Sequence, residues 1–146
     1  MHTHILPEKI PAFAQKFGYG DFIQLEHQKE GWARMMKGER FFREITSNCW
    51  DPEERIQEYA QHGTSVQVVC TVPVMFSYWA KPEDGWDVSR FLNDDLAETV
   101  AKHPKNYIAL GTLPMQSTNH AVKECERIAA MGFKGVQIGS NINNLN

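Results

Sequence analysis

His2 and His4 stand one residue apart in Met1-His2-Thr3-His4-Ile5-Leu6-Pro7. On a strand, side chains alternate faces, so His2 and His4 point one way and Thr3 and Ile5 the other. Same-face residues two apart have Cα atoms roughly 6.5 Å apart. Two neutral imidazoles at that spacing can converge on one divalent ion. Zinc accepts imidazole nitrogen at about 2.0 to 2.1 Å, and its catalytic sites use about three protein ligands plus water. The pair therefore supplies part of a zinc site. Two solvated histidines near a chain end satisfy the same spacing, so the pair needs partners before it means metal.

The totals narrow the function classes. The chain has 146 residues, a formal net charge of -3, 42% hydrophobic and 23% charged residues. That composition belongs to a folding globular domain with a sizeable core. Mild acidity and scattered Lys and Arg give no electrostatic case for nucleic acid or an anionic membrane. Cys49, Cys70 and Cys125 are odd in number and lack C-x-x-C spacing. They read as reduced thiols packed as small buried hydrophobes, in a cytosolic setting. No secretory leader or membrane-length apolar run is visible. Nor is there a G-x-G-x-x-G or Walker-type loop, so a nucleotide site lacks its main signature.

The elements that would position the histidines follow in order. Pro7 to Phe17 reads as a short helix or turn ended by Gly18-Tyr19-Gly20. Asp21 to Leu25 and Arg40 to Ile45 are β-leaning segments with Gly31 and Gly38 between them, so residues 18–50 form a small inserted hairpin or meander. Asp51-Pro52-Glu53-Glu54 starts a helix that runs to His62, with Gly63 as its stop. Val66 to Val72 has the apolar, β-branched character of a buried parallel strand. Val88, Phe91, Leu92, Leu96 and Val100 make the core stripe of a helix that begins at Asp87 and ends before Pro104. Tyr107 to Leu113 is a third core strand. Asn119 to Met131 is a helix with Val122, Cys125, Ile128 and Ala129 inward, and Gly135 to Gly139 is a fourth strand. Strands alternating with helices imply βαβ units and a parallel sheet, whose binding groups gather at the strands' C-terminal ends. Phe76, Tyr78 and Trp79 follow one such end and are either core or pocket wall, with position favouring the pocket. His27, His62, His103 and His120 read as surface residues.

Several stretches together carry a resemblance: His2-x-His4-Ile5-Leu6-Pro7, Asn48-Cys49-Trp50-Asp51-Pro52, the run from Thr71-Val72-Pro73-Val74-Met75-Phe76 through Tyr78-Trp79-Ala80-Lys81-Pro82-Glu83-Asp84, Gly111-Thr112-Leu113-Pro114-Met115-Gln116 and Gly135-Val136-Gln137-Ile138-Gly139. The chain resembles, over essentially its whole length, the N-terminal part of the 2-amino-3-carboxymuconate-6-semialdehyde decarboxylase family, within the metal-dependent amidohydrolase superfamily of (β/α)8 barrels. The resemblance implies the N-terminal half of such a TIM barrel, about four parallel strands with helices. It places residues 1–146 in one partial barrel domain, with the insert at roughly 18–50 and the C-terminal half absent.

The same resemblance implies zinc-dependent, non-oxidative decarboxylation of a small acyclic amino-muconate in tryptophan and kynurenine catabolism, which limits quinolinate and NAD synthesis. It assigns His2 and His4 to zinc, which lowers the pKa of water toward neutrality. It assigns Arg43, in the inserted segment, to a substrate carboxylate, which a guanidinium grips through two parallel hydrogen bonds. Without the resemblance, an exposed surface ion pair is the simpler reading of Arg43. Phe76 and Trp79 are the candidate substrate-contacting aromatics. The family's catalytic histidine and its other metal ligands lie on later strands, so no catalytic residue is expected here and the chain alone is expected to be inactive. The family is dimeric. A second reading is therefore a non-catalytic truncated partner of the full-length dimer; a third is a related amidohydrolase-family decarboxylase or hydrolase. Only Met1 precedes the histidine pair, so the first strand is expected to be short and poorly anchored.

Overall fold

The computed structural model describes residues 1–143 and divides into two compact units, one of Met1–Ile5 with Val66–Asn146 and one of Leu6–Ser65. In chain order the elements are β1 (His2–Ile5), α1 (Phe13–Phe17), β2 (Ile23–Lys29), β3 (Trp32–Lys37), β4 (Arg40–Thr46), α2 (Pro52–Ala60), β5 (Gln67–Thr71), α3 (Pro82–Lys102), β6 (Tyr107–Ala109) and α4 (Thr118–Ala130).

The Leu6–Ser65 unit contains an antiparallel meander ordered β2-β3-β4. Both connections are two-residue turns, Lys29 pairing with Trp32 and Lys37 with Arg40. Gly31 and Gly38 sit in these turns at φ 73° and 58°, a region that glycine enters without a Cβ clash. The central strand β3 was not expected. Its burial does not alternate, since the adjacent Met35 and Met36 are both buried; beside them β4 carries an extra residue, Phe42, between the partners of Met35 and Met36. Rings of Phe13, Phe17 and Phe22 meet with centroids 5.4 to 6.0 Å apart and close the apolar side of α1. α2 begins where Asp51 predicts, its carboxylate accepting from the backbone N–H groups of Glu53 and Glu54 at 2.8 and 3.2 Å.

The other unit holds the parallel sheet, ordered β1-β5-β6. A further parallel bridge joins Gly111 to Val136, with Gly111 N–H donating to Gly135 O and Gln137 N–H to Gly111 O, both at 2.9 Å. Each segment is thus added beside the previous one, without the reversal of order that marks an open doubly wound sheet. This is the progression of a barrel wall. The fourth segment is shorter than expected: it pairs through that bridge and no named strand forms there among the described residues. β1 is short, but all four residues pair with β5, from His2 opposite Val68 to Ile5 opposite Thr71. Met1 extends the ladder at 2.7 Å to Val68 N–H. Anchoring of the histidine backbone is therefore firm, contrary to expectation.

Two helix readings need correction. α3 starts at Pro82, one turn before Asp87, with Glu83 and Asp84 in its first turn. On α4 the inward face is Ala121, Glu124 and Ile128, while Val122 is 52% exposed and Cys125 is also exposed. Of the three cysteines only Cys70 is a buried one. Glu124 is 0% exposed because it has a full set of donors. Asn93 donates to it at 2.7 Å, Trp86 Nε1 at 3.1 Å, and Arg127 Nε and Nη2 at 3.0 and 2.7 Å. Asn93 also pairs both ways with the backbone of Thr112, at 2.8 and 2.9 Å. Its amide therefore substitutes for a strand partner where the chain leaves β6.

Two outcomes follow for stability. Glu124→Ala leaves Asn93, Trp86 and part of Arg127 without their acceptor, so urea unfolding should show a loss of about 3 kcal/mol, the low end for breaking a buried pair because Arg127 keeps some solvent. Burial, reinforced by Glu98 and opposed by Lys102, pushes the Asp95 carboxyl up to about 6. Between about pH 4 and 6 the folded chain then holds a proton that the unfolded chain has lost. By linkage, this residue's contribution falls as pH rises through that window. Asp95→Asn should therefore raise the melting temperature more at pH 7 than at pH 4.5.

Candidate metal centre

The parallel register of β1 with β5 sets His4 opposite Cys70. Paired residues of neighbouring parallel strands project to the same face. His2, His4 and Cys70 accordingly form one group, with a donor atom from each lying within 4.8 Å of the others. His2 Nε2 is 3.1 Å from Cys70 Sγ, and that thiol also lies 3.6 Å from the Thr3 carbonyl, to which it donates. Burial pushes the Cys70 thiol up to about 11. His4 Nε2 lies 3.2 Å from the Gln137 amide nitrogen, which donates to it when His4 carries its proton on Nδ1. Gln137 comes from the segment that bridges Gly111 through Val136, so β1, β5 and the fourth segment contribute to one place, with β6 between the last two.

The donor set fits a borderline-soft divalent ion. Tetrahedral zinc with nitrogen at about 2.0 and sulfur at about 2.3 Å sets donor atoms about 3.3 to 3.6 Å apart. The observed donor atoms lie within 4.8 Å of one another, His2 Nε2 and Cys70 Sγ at 3.1 Å. Buried polar atoms without a hydrogen-bond partner among the described residues include Thr71 Oγ1, Thr112 Oγ1 and Gln137 Oε1. Thr71 ends β5 and Thr112 follows β6, at the strand ends where α/β barrels bind their ligands.

The remaining candidates divide. Phe76 is 6% exposed and stacks on Tyr78 with centroids 5.4 Å apart, so it is built into the core. Tyr78 in turn accepts from Gly139 N–H at 3.1 Å, and burial raises its pKa. Trp79 is 44% exposed in the same loop. That loop turns at Ser77, a non-glycine residue at φ 52°, and Gln116 donates to its Ala80 carbonyl at 3.3 Å. Arg43 belongs to the other unit, on β4, opposite Met35. Its guanidinium lies over the Phe42 ring at 4.9 Å and makes no ion pair among the described residues, so the surface salt bridge is not what occupies it. Cys70 and Gln137 were not singled out as site residues. The signal for Cys70 was its place near the end of an apolar strand that must pair with the His-x-His strand.

Comparison with known proteins fixes the relationship. An amidohydrolase family model matches residues 1–145. Two curated relatives named 2-amino-3-carboxymuconate-6-semialdehyde decarboxylase are similar over nearly the whole chain. The one from Dictyostelium discoideum is 50% identical over 147 residues, all of this chain and 41% of its own length. The one from Caenorhabditis elegans is 40% identical over 162 residues, 97% of this chain and 40% of its own. A crystal structure of dihydroxybenzoic acid decarboxylase from Polaromonas, with bound manganese and an inhibitor, superposes with a TM-score of 0.58 at 29% identity, over 62% of this chain and 28% of that one. The chain thus spans about two fifths of the length of the curated relatives it matches. The progressive parallel sheet with its helices is the N-terminal half of a barrel of this kind. The chain belongs to the amidohydrolase family.

Proposed function

We propose that this chain is part of a zinc-dependent decarboxylase that removes carbon dioxide without oxidation from 2-amino-3-carboxymuconate 6-semialdehyde. That activity would place it in kynurenine catabolism, diverting the substrate from quinolinate. The observation that carries the reading is the grouping of His2 and His4 on one face of β1, in a chain 50% identical to a relative of that name. His2 and His4 would hold the metal. When bound, a divalent ion supplies Lewis-acid polarisation and activation of water. Arg43, whose guanidinium lies over the Phe42 ring, would supply a planar fork for a substrate carboxylate. Trp79 offers an aromatic face to the conjugated chain, and Phe76 supports the loop from within. The substrate is a small molecule, and the full-length enzyme is proposed as a homodimer. Three cysteines without disulfide partners fit a reducing, cytosolic setting. No helix of the described residues is long and apolar enough to cross a membrane.

A second reading is favoured by the Polaromonas likeness: an aromatic-acid decarboxylase of the same family. Both readings predict decarboxylation and differ in substrate. The chain alone is proposed to be inactive in either case, because no carboxylate or further histidine joins the His2–His4–Cys70 group among the described residues. Such a chain could also act as a non-catalytic partner of the full-length dimer.

Zinc-loaded chain should therefore show no turnover of the amino-muconate, followed by loss of its absorbance. A version extended to the length of the curated relatives should turn it over in preference to 2,6-dihydroxybenzoate. Preference for the benzoate would replace the substrate assignment, and full-rate turnover by the chain alone would overturn its proposed inactivity. In the extended enzyme, Arg43→Gln should lower kcat/KM roughly 10- to 100-fold, the value of one charge-assisted hydrogen-bond pair. Arg43→Lys should recover only part of that loss. Normal kinetics in Arg43→Gln would release Arg43 from substrate binding.

A further inference from the structure

The parallel sheet has a second face, turned away from the histidines. Its register sets His2 opposite Val68 and Val68 opposite Ile108. Ile108 therefore shares the face of His2, and Tyr107 and Ala109 project from the other, beneath the helices. On that side a cavity of about 310 Å³ opens between the last turns of α3, strand β6 and the turn that follows α4. Tyr107 and Ala109 line it from the sheet, Ala97 and Ala101 from α3, and Met131 and Lys134 from the turn. Ala97 and Ala101 are four residues apart, so both sit on one face of their helix. Their methyl groups leave space that any larger side chain would fill. Lys134 is tied to the same place by its backbone N–H, which donates to the Ala109 carbonyl at 3.2 Å. The walls are consecutive elements of one βαβ progression, so the cavity is complete within this chain.

Two properties set its chemistry. The walls are largely apolar and part of them stays wet, Met131 at 39% exposure and Ala101 also exposed, so covering them is favourable. The charge at the cavity is positive, in a chain of net charge -3. Lys134 is the one charged residue lining it and makes no ion pair among the described residues. Acids on α3 near it are already engaged, Asp94 with Arg127 and Glu98 with Lys102. We propose that this cavity binds a small carboxylate with an apolar body of about eight carbons, its head group on the Lys134 ammonium. The size follows from the volume: at roughly 30 Å³ for each water-sized heavy atom, the cavity holds about ten. That is the lower end of the range for small-molecule pockets. The ammonium and the carboxylate form a charge-assisted hydrogen bond at the rim, while the apolar body displaces water from the alanine-lined interior. The site lies across the sheet from His2 and His4 and is independent of the decarboxylase reading.

The test titrates the whole chain with octanoate, octanol and octylamine, by calorimetry and by the shift in melting temperature. Octanoate should bind and raise the melting temperature. Octanol, which has the body without the charge, should bind about 10- to 100-fold more weakly, the value of one charge-assisted hydrogen bond. Octylamine should be weaker still. Lys134→Glu should lower octanoate affinity by at least that factor and leave octanol unchanged. Ala101→Phe, at an exposed helix position, should block all three ligands by filling the cavity. Equal affinity for the three ligands would overturn carboxylate recognition. Octanoate binding that survives Ala101→Phe would overturn the location, and no binding at millimolar octanoate would overturn the site altogether. If Ala101→Phe does not fold, labelled octanoate in the unaltered chain decides the location: magnetisation transfer to the Ala97, Ala101 and Met131 methyl groups supports it, and transfer to other methyl groups alone overturns it.

Discussion

Parallel pairing of β1 with β5 is the constraint on which the rest depends. One ladder, His2 to Ile5 against Val68 to Thr71, decides which side chains share a face. A slip of one residue would turn His2 and His4 into the buried layer now held by Thr3 and Ile5, and would send Cys70 to the far side. The register is held from the buried face. Ile5 and Val69 pack there, and Thr3 Oγ1 donates to Gln67 Oε1 at 3.3 Å. The chemistry on the open face is thus set by apolar burial on the opposite one. This is the usual economy of a barrel wall, in which strand cores are rigid and the strand ends carry function.

The helices of this unit secure the same wall by a polar route. Asn93 satisfies both backbone groups of Thr112, where regular pairing has stopped, and Glu124 holds Asn93 in place. Arg127 and Trp86 complete the carboxylate's hydrogen bonds, so the charge is buried without being left unpaired. Gly111 belongs to the same arrangement: a Cβ there would come within 2.4 Å of Ile128 Cδ1. The close approach of α4 to the sheet therefore requires a residue with no side chain at that point.

How much of this was legible depended on whether the signal was local. The start of α2 was readable because Asp51 caps it with its own carboxylate. The start of α3 carries the similar run Lys81-Pro82-Glu83-Asp84, but it has no side-chain cap, and Gly85 within the first turn argues against a helix. The Gln116 amide packs into the space that a Cβ at Gly85 would occupy, a long-range contact that no local pattern reveals. β3 is hidden because its buried residues do not alternate: Met35 and Met36 are adjacent and both buried. The inward face of α4 was misassigned because a glutamate is normally an exposed residue, and its three donors come from residues on two helices. Cys70 was read as a core residue, which its burial bears out, but its sulfur's neighbours come from a strand more than sixty positions earlier. The histidine pair itself was evident because both members lie on one strand.

The two-residue turns at Gly31 and Gly38 have a consequence for the order of assembly. The meander pairs residues close in sequence, whereas His2 and Cys70 are 68 positions apart. Local hairpins close in about 1 to 10 μs, while distant parallel pairing must first overcome the entropy of a long loop. The antiparallel unit is thus expected to be complete while the amino terminus is still searching for its partner strand, and its early collapse shortens the effective tether across which that search is made.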